Sequence, residues 1–371
     1  MLYYLKSDSI VSNSRLLKYI KYVCDTKIPY RVLGWNRSRE KLPESSEIDY
    51  YHRQSGYQTG GLKAIIGRFC WIIYVIKYLF KHSADITIIH ACDLDAAFPA
   101  SVFKLLSCEK KKVIFDVFDW YSDNIIGQNL IVRKTFQFME WFSVKMADEV
   151  IICEPERIQQ IPYKLNKDVI VLPNIPSFAD DSFLQKDDAY TFDNNLITLT
   201  YVGGFTSDRC LKELLDLAER KKINLLIAGF GLAEIENRCK TLSNNDNVIY
   251  FGKVDYKTAL NIQYNADVIF AMYQKISRNN VFAAPNKYYE SMFLGKPIIS
   301  TKGTILEPKI LNNKIGYIVD ESYVDIESLI DKLVLEDMKI KGDNAKRLWN
   351  QKYKTFTIDF LNGIYRSILR E

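Results

Sequence analysis

At 371 residues the chain is longer than a single hydrophobic core ordinarily grows, so two domains are expected. Apolar residues at 48% against 26% charged, with no Pro/Gly/Ser-rich stretch and no short repeat, exclude a disordered, collagen-like or solenoid chain. Seven cysteines without a CxxC pair and only three histidines argue against a disulfide scaffold or a metal site, and indicate a reduced, cytoplasmic protein with no metal.

The opening residues, MLYYLKSDSI, lack the long apolar run of a secretory signal or a spanning helix. Residues 1–82 carry 14 Lys/Arg against 6 Asp/Glu, a net +8, while the remainder is net −3. Such an end is drawn to an anionic surface, and an anionic membrane is the expected partner rather than nucleic acid; an ordinary solvated face is the plain alternative. The most apolar helix is LKAIIGRFCWIIYVIKYLFK, 62–81. There Lys63, Tyr74, Lys77, Tyr78 and Lys81 share one face, and Ile65, Ile66, Phe69, Ile72, Ile73 and Ile76 spread over the rest. Arg68 and Lys77 disfavour a membrane span, which leaves core packing or an interfacial helix.

Short β-branched runs follow between helical stretches: ITIIH (86–90), KVIFDVF (112–118), DEVIIC (148–153) and DVIVLPN (168–174). After a polar, acidic stretch at 175–195 the pattern restarts with ITLTYVGG (197–204), NLLIAGFG (224–231), NVIYFG (247–252), DVIFAM (267–272) and KPIIST (296–301). These runs predict an α/β chain of two Rossmann-like, doubly wound parallel-sheet domains facing a cleft, with ligands at the carboxyl ends of the strands.

In YVGGFTSDRC, Gly203 and Gly204 allow a ligand close to the backbone and Arg209 reaches toward an anion; a Gly-Gly turn capped by Thr206, Ser207 or Asp208 is the structural alternative. IAGFGLAE is not a dinucleotide fingerprint, because Glu234 stands where the third glycine belongs. In AAPNKYYESMFLG, Pro285 opens a helix with no Ser, Thr or Asp ahead of it, an omission of about 1 kcal/mol. Its free N–H groups and dipole suit a phosphate.

The order IAGFG, NVIYFGKVDY, NADVIFAMY, PNKYYESMFLGKPIIS resembles the donor-binding half of nucleotide-sugar glycosyltransferases with the GT-B fold, especially glycosyltransferase family four. Upstream, DITIIHACDLDAAFPA, KVIFDVFDWYSD and VLPNIP resemble the acceptor half of capsule and O-antigen enzymes. The resemblance implies an acceptor domain at 1–175, a donor domain at 196–345 and a C-terminal helix at 346–371 packing back on the first domain. By that likeness Glu290 holds the donor ribose, Arg209 the diphosphate, and Ala284, Pro285, Asn286 and Lys287 the phosphate-binding helix start, with Gly203, Gly204 and Gly231 lining the donor. Asp119 and Asp116 are the candidate catalytic or sugar-contacting acids, and His90, Asp93 and Asp95 lie on the acceptor side. An Asp at either position equally caps a helix or pairs with Arg133, and His90 equally ends a strand as a satisfied core residue.

Three departures stand out. Phe282 occupies the place of the family's first glutamate, Gly204 that of an arginine, and Phe118 that of a histidine. Lys275, Arg278 or Lys287 then become substitute cations. The expected activity is a retaining transfer of sugar from a nucleotide-diphosphate sugar to a lipid-linked or oligosaccharide acceptor in bacterial surface polysaccharide synthesis, independent of metal or further cofactor, at the cytoplasmic face of the membrane. A nucleotide-sugar 2-epimerase and a non-catalytic nucleotide-sugar-binding subunit are the alternatives.

Overall fold

The structure is a computed structural model that describes residues 1–371 apart from 9, 11–12, 38–44, 55–60, 108, 125–129, 162, 166, 177–180, 191, 193–194 and 371. Part of the expected linker and of the basic segment, Arg39 and Lys41 included, lies outside the described residues. The chain divides into two compact units, Met1–Pro173 with Ile358–Glu371, and Asn174–Thr357. Residues 346–357 thus stay with the second unit, and the return to the first begins at Ile358.

In the first unit β1 (Leu2–Lys6), β2 (Tyr30–Asn36), β3 (Ile48–His52), β4 (Ile88–Cys92), β5 (Lys112–Val117), β6 (Glu149–Ile152) and β7 (Ile170–Val171) form one sheet. Its order is β3-β2-β1-β4-β5-β6-β7, parallel throughout. The helices that accompany it before residue 173 are α1 (Ser14–Asp25), α2 (Gly61–Lys81), α3 (Leu94–Leu106) and α4 (Leu130–Met146), and the C-terminal segment adds short helical turns to the same unit. A single apolar cluster joins Tyr3, Leu33 and Phe115 of the sheet to Trp71 and Leu79 of α2, Phe103 of α3 and Val144 of α4. These three helices therefore cover the same face of the sheet.

The buried face of α2 is not the one its composition suggests. Trp71, Val75, Tyr78 and Leu79 point inward, with Trp71 stacked on Trp35 at 5.3 Å, while Ile65, Ile66, Phe69 and Ile73 are exposed. Tyr78 turns to the core because its hydroxyl reaches Asp49 of β3, which satisfies the one polar atom that burial would orphan.

In the second unit β8 (Thr198–Phe205), β9 (Asn224–Gly231), β10 (Val248–Tyr250), β11 (Val268–Ala271), β12 (Ile298–Thr301) and β13 (Gly316–Val319) form a parallel sheet in the order β10-β9-β8-β11-β12-β13. The helices are α5 (Leu211–Glu219), α6 (Ala233–Leu242), α7 (Tyr256–Asn265), α8 (Arg278–Val281), α9 (Asn286–Leu294), α10 (Leu306–Asn313), α11 (Tyr323–Ile330) and α12 (Leu335–Leu348). Strand order reverses between β1 and β4 in the first sheet and between β8 and β11 in the second. At such switch points adjacent loops diverge and leave a crevice beyond the carboxyl ends of the strands.

Candidate functional site

At the second switch point β8 runs on through its glycines, with Gly203 opposite Gly229 and Gly204 opposite Phe230, so the pair is strand and not a turn. Gly203 has φ 154°, and a Cβ there would come within 2.9 Å of Lys287 Nζ. That ammonium also lies 4.5 Å from the centre of the Tyr201 ring. Lys287 is buried, and among the described residues no carboxylate forms an ion pair with it. Burial lowers its pKa to about 8; Glu290 opposes the shift and Arg209 adds to it. A desolvated cation beside a second cation is unfavourable alone and becomes favourable when an anion arrives.

The helix carrying Lys287 opens as its sequence predicts. Pro285 is the N-cap, at φ −69° and ψ 142°, and its own side chain offers no cap to the first turn. Asn174 Nδ2 donates to the Ala284 carbonyl at 3.0 Å, which fixes the entering peptide, while Asn286 stands exposed at the helix mouth. Glu290, one turn on, is buried; its carboxylate accepts from Gln263 Nε2 at 3.0 Å and hydrogen-bonds the Tyr256 hydroxyl, both on α7. Arg209 lies 4.1 Å from the Tyr273 ring centre, with Nη1 donating to Asp208 Oδ2 at 2.5 Å. Asp208 is occupied by Arg209 and by Asn280 Nδ2 at 2.7 Å, and α5 starts instead at Cys210, φ 51°, with no side-chain cap.

Gly203, Arg209, Lys287 and Glu290 are thus brought together beside the open end of α9. Gly231 is not: its N–H goes to Glu236, and a Cβ there would meet the Phe205 carbonyl at 2.3 Å, so it serves close strand packing. Lys275 is drawn to Asp320 and Glu321 at 3.7 Å, and Arg278 lies over the Phe282 ring.

The first switch point holds a cavity of about 490 Å³. Lys6, Arg37 and Arg68 bring cations to it, Asp8, Asp93 and Asp119 acids, and Tyr121 and Phe136 rings. Mixed charge beside aromatic faces suits a polyhydroxyl ligand, whose O–H groups donate to carboxylates and whose C–H faces stack on rings. Asp93 is buried, paired with Lys6, and accepts from the Phe118 N–H at 3.0 Å. Burial raises its pKa against the pull of Lys6. Its backbone, φ 69° and ψ 170°, occupies a region that essentially only glycine visits, at a cost of about 1–3 kcal/mol. Asp119 is half-exposed and pairs with Arg157 Nη2 at 3.1 Å, not with Arg133. Asp95 is fully buried behind the cavity, where it anchors Arg68 at 3.3 Å and Arg37 at 3.7 Å.

His90 and Asp116 lie elsewhere, fully buried in the sheet. Asp116 accepts from Arg15 Nε at 2.9 Å and Nη2 at 2.7 Å and from the Tyr19 hydroxyl at 3.1 Å. Burial raises its pKa, but Arg15 outweighs that and holds it down at about 2. His90 Nδ1 meets the Tyr365 hydroxyl at 2.8 Å, and burial lowers its pKa. With Cys92 these two place ligand-type atoms within 4.8 Å of one another, yet Arg15 already occupies the carboxylate and burial keeps the thiol protonated, a poor donor set for a cation. Sequence reasoning grouped His90 and Asp116 with Asp93, Asp95 and Asp119; the geometry separates them. It also missed Lys6, Arg37, Arg68 and Tyr121. Lys6-Ser7-Asp8, directly after LYYL, was the available signal, since that is the first βα turn of a doubly wound sheet.

Residues 182–354, within the second unit, match the family model described as Glycosyl transferases group 1. Across the whole chain the structure resembles sucrose-phosphate synthase from Thermosynechococcus elongatus, with a TM-score of 0.73 at 13% identity over 100% of this chain and 99% of that one. The fold is GT-B. HepE of Anabaena in complex with UDP-glucose aligns with a TM-score of 0.68 at 12% identity over 100% of both chains. The lipopolysaccharide outer core galactosyltransferase WaaB aligns with a TM-score of 0.62 at 14% identity over 99% of both. No curated protein matches by sequence. The GT-B architecture agrees with the two doubly wound sheets expected from the strand pattern. Among the described residues no helix is long and apolar enough to cross a membrane.

Proposed function

We propose that this GT-B protein is a retaining glycosyltransferase of the family four kind, moving a sugar from a nucleotide-diphosphate sugar to a hydroxyl of a lipid-linked glycan in surface polysaccharide synthesis, at the inner face of the cell membrane. The observation that carries the reading is the buried Lys287 ammonium, with no carboxylate ion pair among the described residues, between Gly203 and the start of α9 that Pro285 leaves without a side-chain cap. Breaking the anomeric bond leaves charge on a diphosphate, and Lys287, Arg209 and the α9 N–H groups are fixed where that charge would develop. These groups do the work of a divalent ion, so no metal or further cofactor enters the reaction. Glu290 accepts the ribose hydroxyls, and Asp93 and Asp119 accept hydroxyls of the acceptor in the first unit's cavity. The UDP-glucose complex of HepE and the lipopolysaccharide substrate in the name of WaaB support the donor and acceptor classes.

Titration calorimetry with UDP, GDP, ADP and CMP, followed by slow hydrolysis of radiolabelled nucleotide sugars, tests this. One nucleoside diphosphate should bind, and Lys287→Met should weaken it at least tenfold, about 1.4 kcal/mol. The free variant should melt higher at neutral pH, because a buried ammonium is removed. Released monosaccharide supports a transferase. An isomerised sugar would make it an epimerase, and tight donor binding without turnover a binding subunit, in keeping with Phe282 where the family has glutamate.

A further inference from the structure

The helical layer over the first sheet carries an outer surface that the reaction does not use. On α2, Ile65, Ile66, Phe69, Ile73 and Phe80 form one exposed stripe, Phe69 being 62% accessible. The layer continues through Leu105 and Leu106 at the end of α3, then through Leu130, Ile131 and Phe138 of α4, all exposed. Scattered apolar side chains are ordinary on a surface, but a set this size on one layer marks a contact face.

The exposed charges of these three helices have one sign, with the acids Glu109 and Asp148 lying in the loops at their ends. Lys63, Lys77 and Lys81 of α2 and Arg133, Lys134 and Lys145 of α4 are exposed. No Asp or Glu occurs in α2, and the acids of the other two helices, Asp95 and Glu140, are buried. Trp141 lies under Lys145, whose Nζ is 5.0 Å from the ring centre, an amphipathic pair suited to a lipid headgroup layer. A protein partner is met by a rim of mixed charge, whereas an anionic bilayer requires only apolar side chains and cations.

We propose that the outer face of α2, the end of α3 and α4 rests on an anionic lipid bilayer. The same helices supply Arg68 and Phe136 to the wall of the cavity, so an acceptor anchored in that bilayer is presented beside its binding site. This deepens the lipid-linked acceptor of the proposed function, and its test needs no transfer activity.

The full chain is sedimented with phosphatidylglycerol-containing vesicles and with pure phosphatidylcholine vesicles, at low and high salt. Partitioning should be at least tenfold greater on the anionic vesicles and should fall with salt. The pairs Phe69→Ser with Phe138→Ser, and Lys77→Glu with Lys134→Glu, should each reduce it at least tenfold. Melting temperature and nucleotide binding should not change, since all four positions are exposed. Equal partitioning onto neutral vesicles, no partitioning at all, or a dimer in ultracentrifugation that these substitutions dissolve would overturn the proposal. Loss of vesicle binding with donor turnover intact would count against this surface alone, and the converse against the reaction alone.

Discussion

Lys287 holds a charge that its surroundings resist. Its folded pKa of about 8 lies below the ordinary 10.5, so between those values the unfolded chain binds more protons and stability should rise with pH. A diphosphate against the ammonium reverses the shift, and nucleotide binding at about pH 9 should therefore take up protons. Calorimetry in two buffers of different ionisation enthalpy reads the uptake directly; equal heats in both would detach Lys287 from the phosphate. Asp93 makes a second prediction from its backbone. Ala at position 93 would keep the strained φ of 69° and lose the Lys6 pair, whereas Gly would lose the pair and relieve the strain. Asp93→Gly should thus be the more stable variant by about 1–2 kcal/mol in denaturant titration, the reverse of the usual order in regular structure. Both residues were named from the sequence, but neither property was legible there. The lysine's burial comes from Gly203 and Tyr201, more than eighty positions away in the chain. His90 and Asp116 lie buried in the sheet, apart from the cavity, for the same reason: their side chains turn to Tyr365 and Arg15, contacts that sequence spacing does not encode.

Among the elements, α4 controls more than its own packing. Glu140 is buried beneath the 3₁₀ turn Tyr121–Asp123, taking the Ser122 N–H at 3.0 Å and its hydroxyl at 2.6 Å, and so sets Tyr121 on the cavity. Burial raises its pKa to about 7 against the lowering effect of the Ser122 bonds. With the folded value above the ordinary 4.5, its contribution to stability is complete below about pH 4.5 and is lost as pH rises through about 7. Glu140→Gln keeps an acceptor for the N–H and does not titrate. Melting temperature plotted against pH should therefore fall less steeply over that window in the variant, and coincident slopes would contradict the assignment. Elements with long apolar runs were readable: β4, β5, β6 and the strands from β8 to β12 lie close to where β-branched residues cluster. Four strands were not. LYYLK, YRVLGWN and IDYYH mix tyrosine with charge, and GYIV opens on glycine and tyrosine, so none of them shows the β-branched run that marked the others. The face of α2 was misjudged because hydropathy treats its exposed isoleucines as core and its buried tyrosines as surface, whereas hydrogen bonding of Tyr78 decides the matter.

For the molecule as a whole, the last residues of the chain complete the first unit. The chain crosses back at Ile358, and Tyr365 is fully buried among Tyr4, Tyr19 and His90. Its hydroxyl meets Tyr4 at 2.9 Å and His90 Nδ1 at 2.8 Å, and its ring lies 4.8 Å from that of Tyr19. Removing it would open a cavity and orphan two buried polar atoms, in the range of about 3–5 kcal/mol that large aromatic truncations cost. The second unit has its own core around Tyr289, Met292, Phe293 and Trp349 and owes nothing to Tyr365. Scanning calorimetry of Tyr365→Ala should accordingly show two separated transitions, the lower one belonging to the first unit. Saturating nucleoside diphosphate should then raise only the upper transition, because the proposed site, built from β8, Arg209 and α9, belongs to the second unit. Tyr365→Phe keeps the ring and loses the two hydrogen bonds, so its lower transition should fall between those of the wild type and the Ala variant. A single transition that moves as one under both the Ala substitution and the nucleotide would mean that the two units unfold together and that the C-terminal return stabilises both.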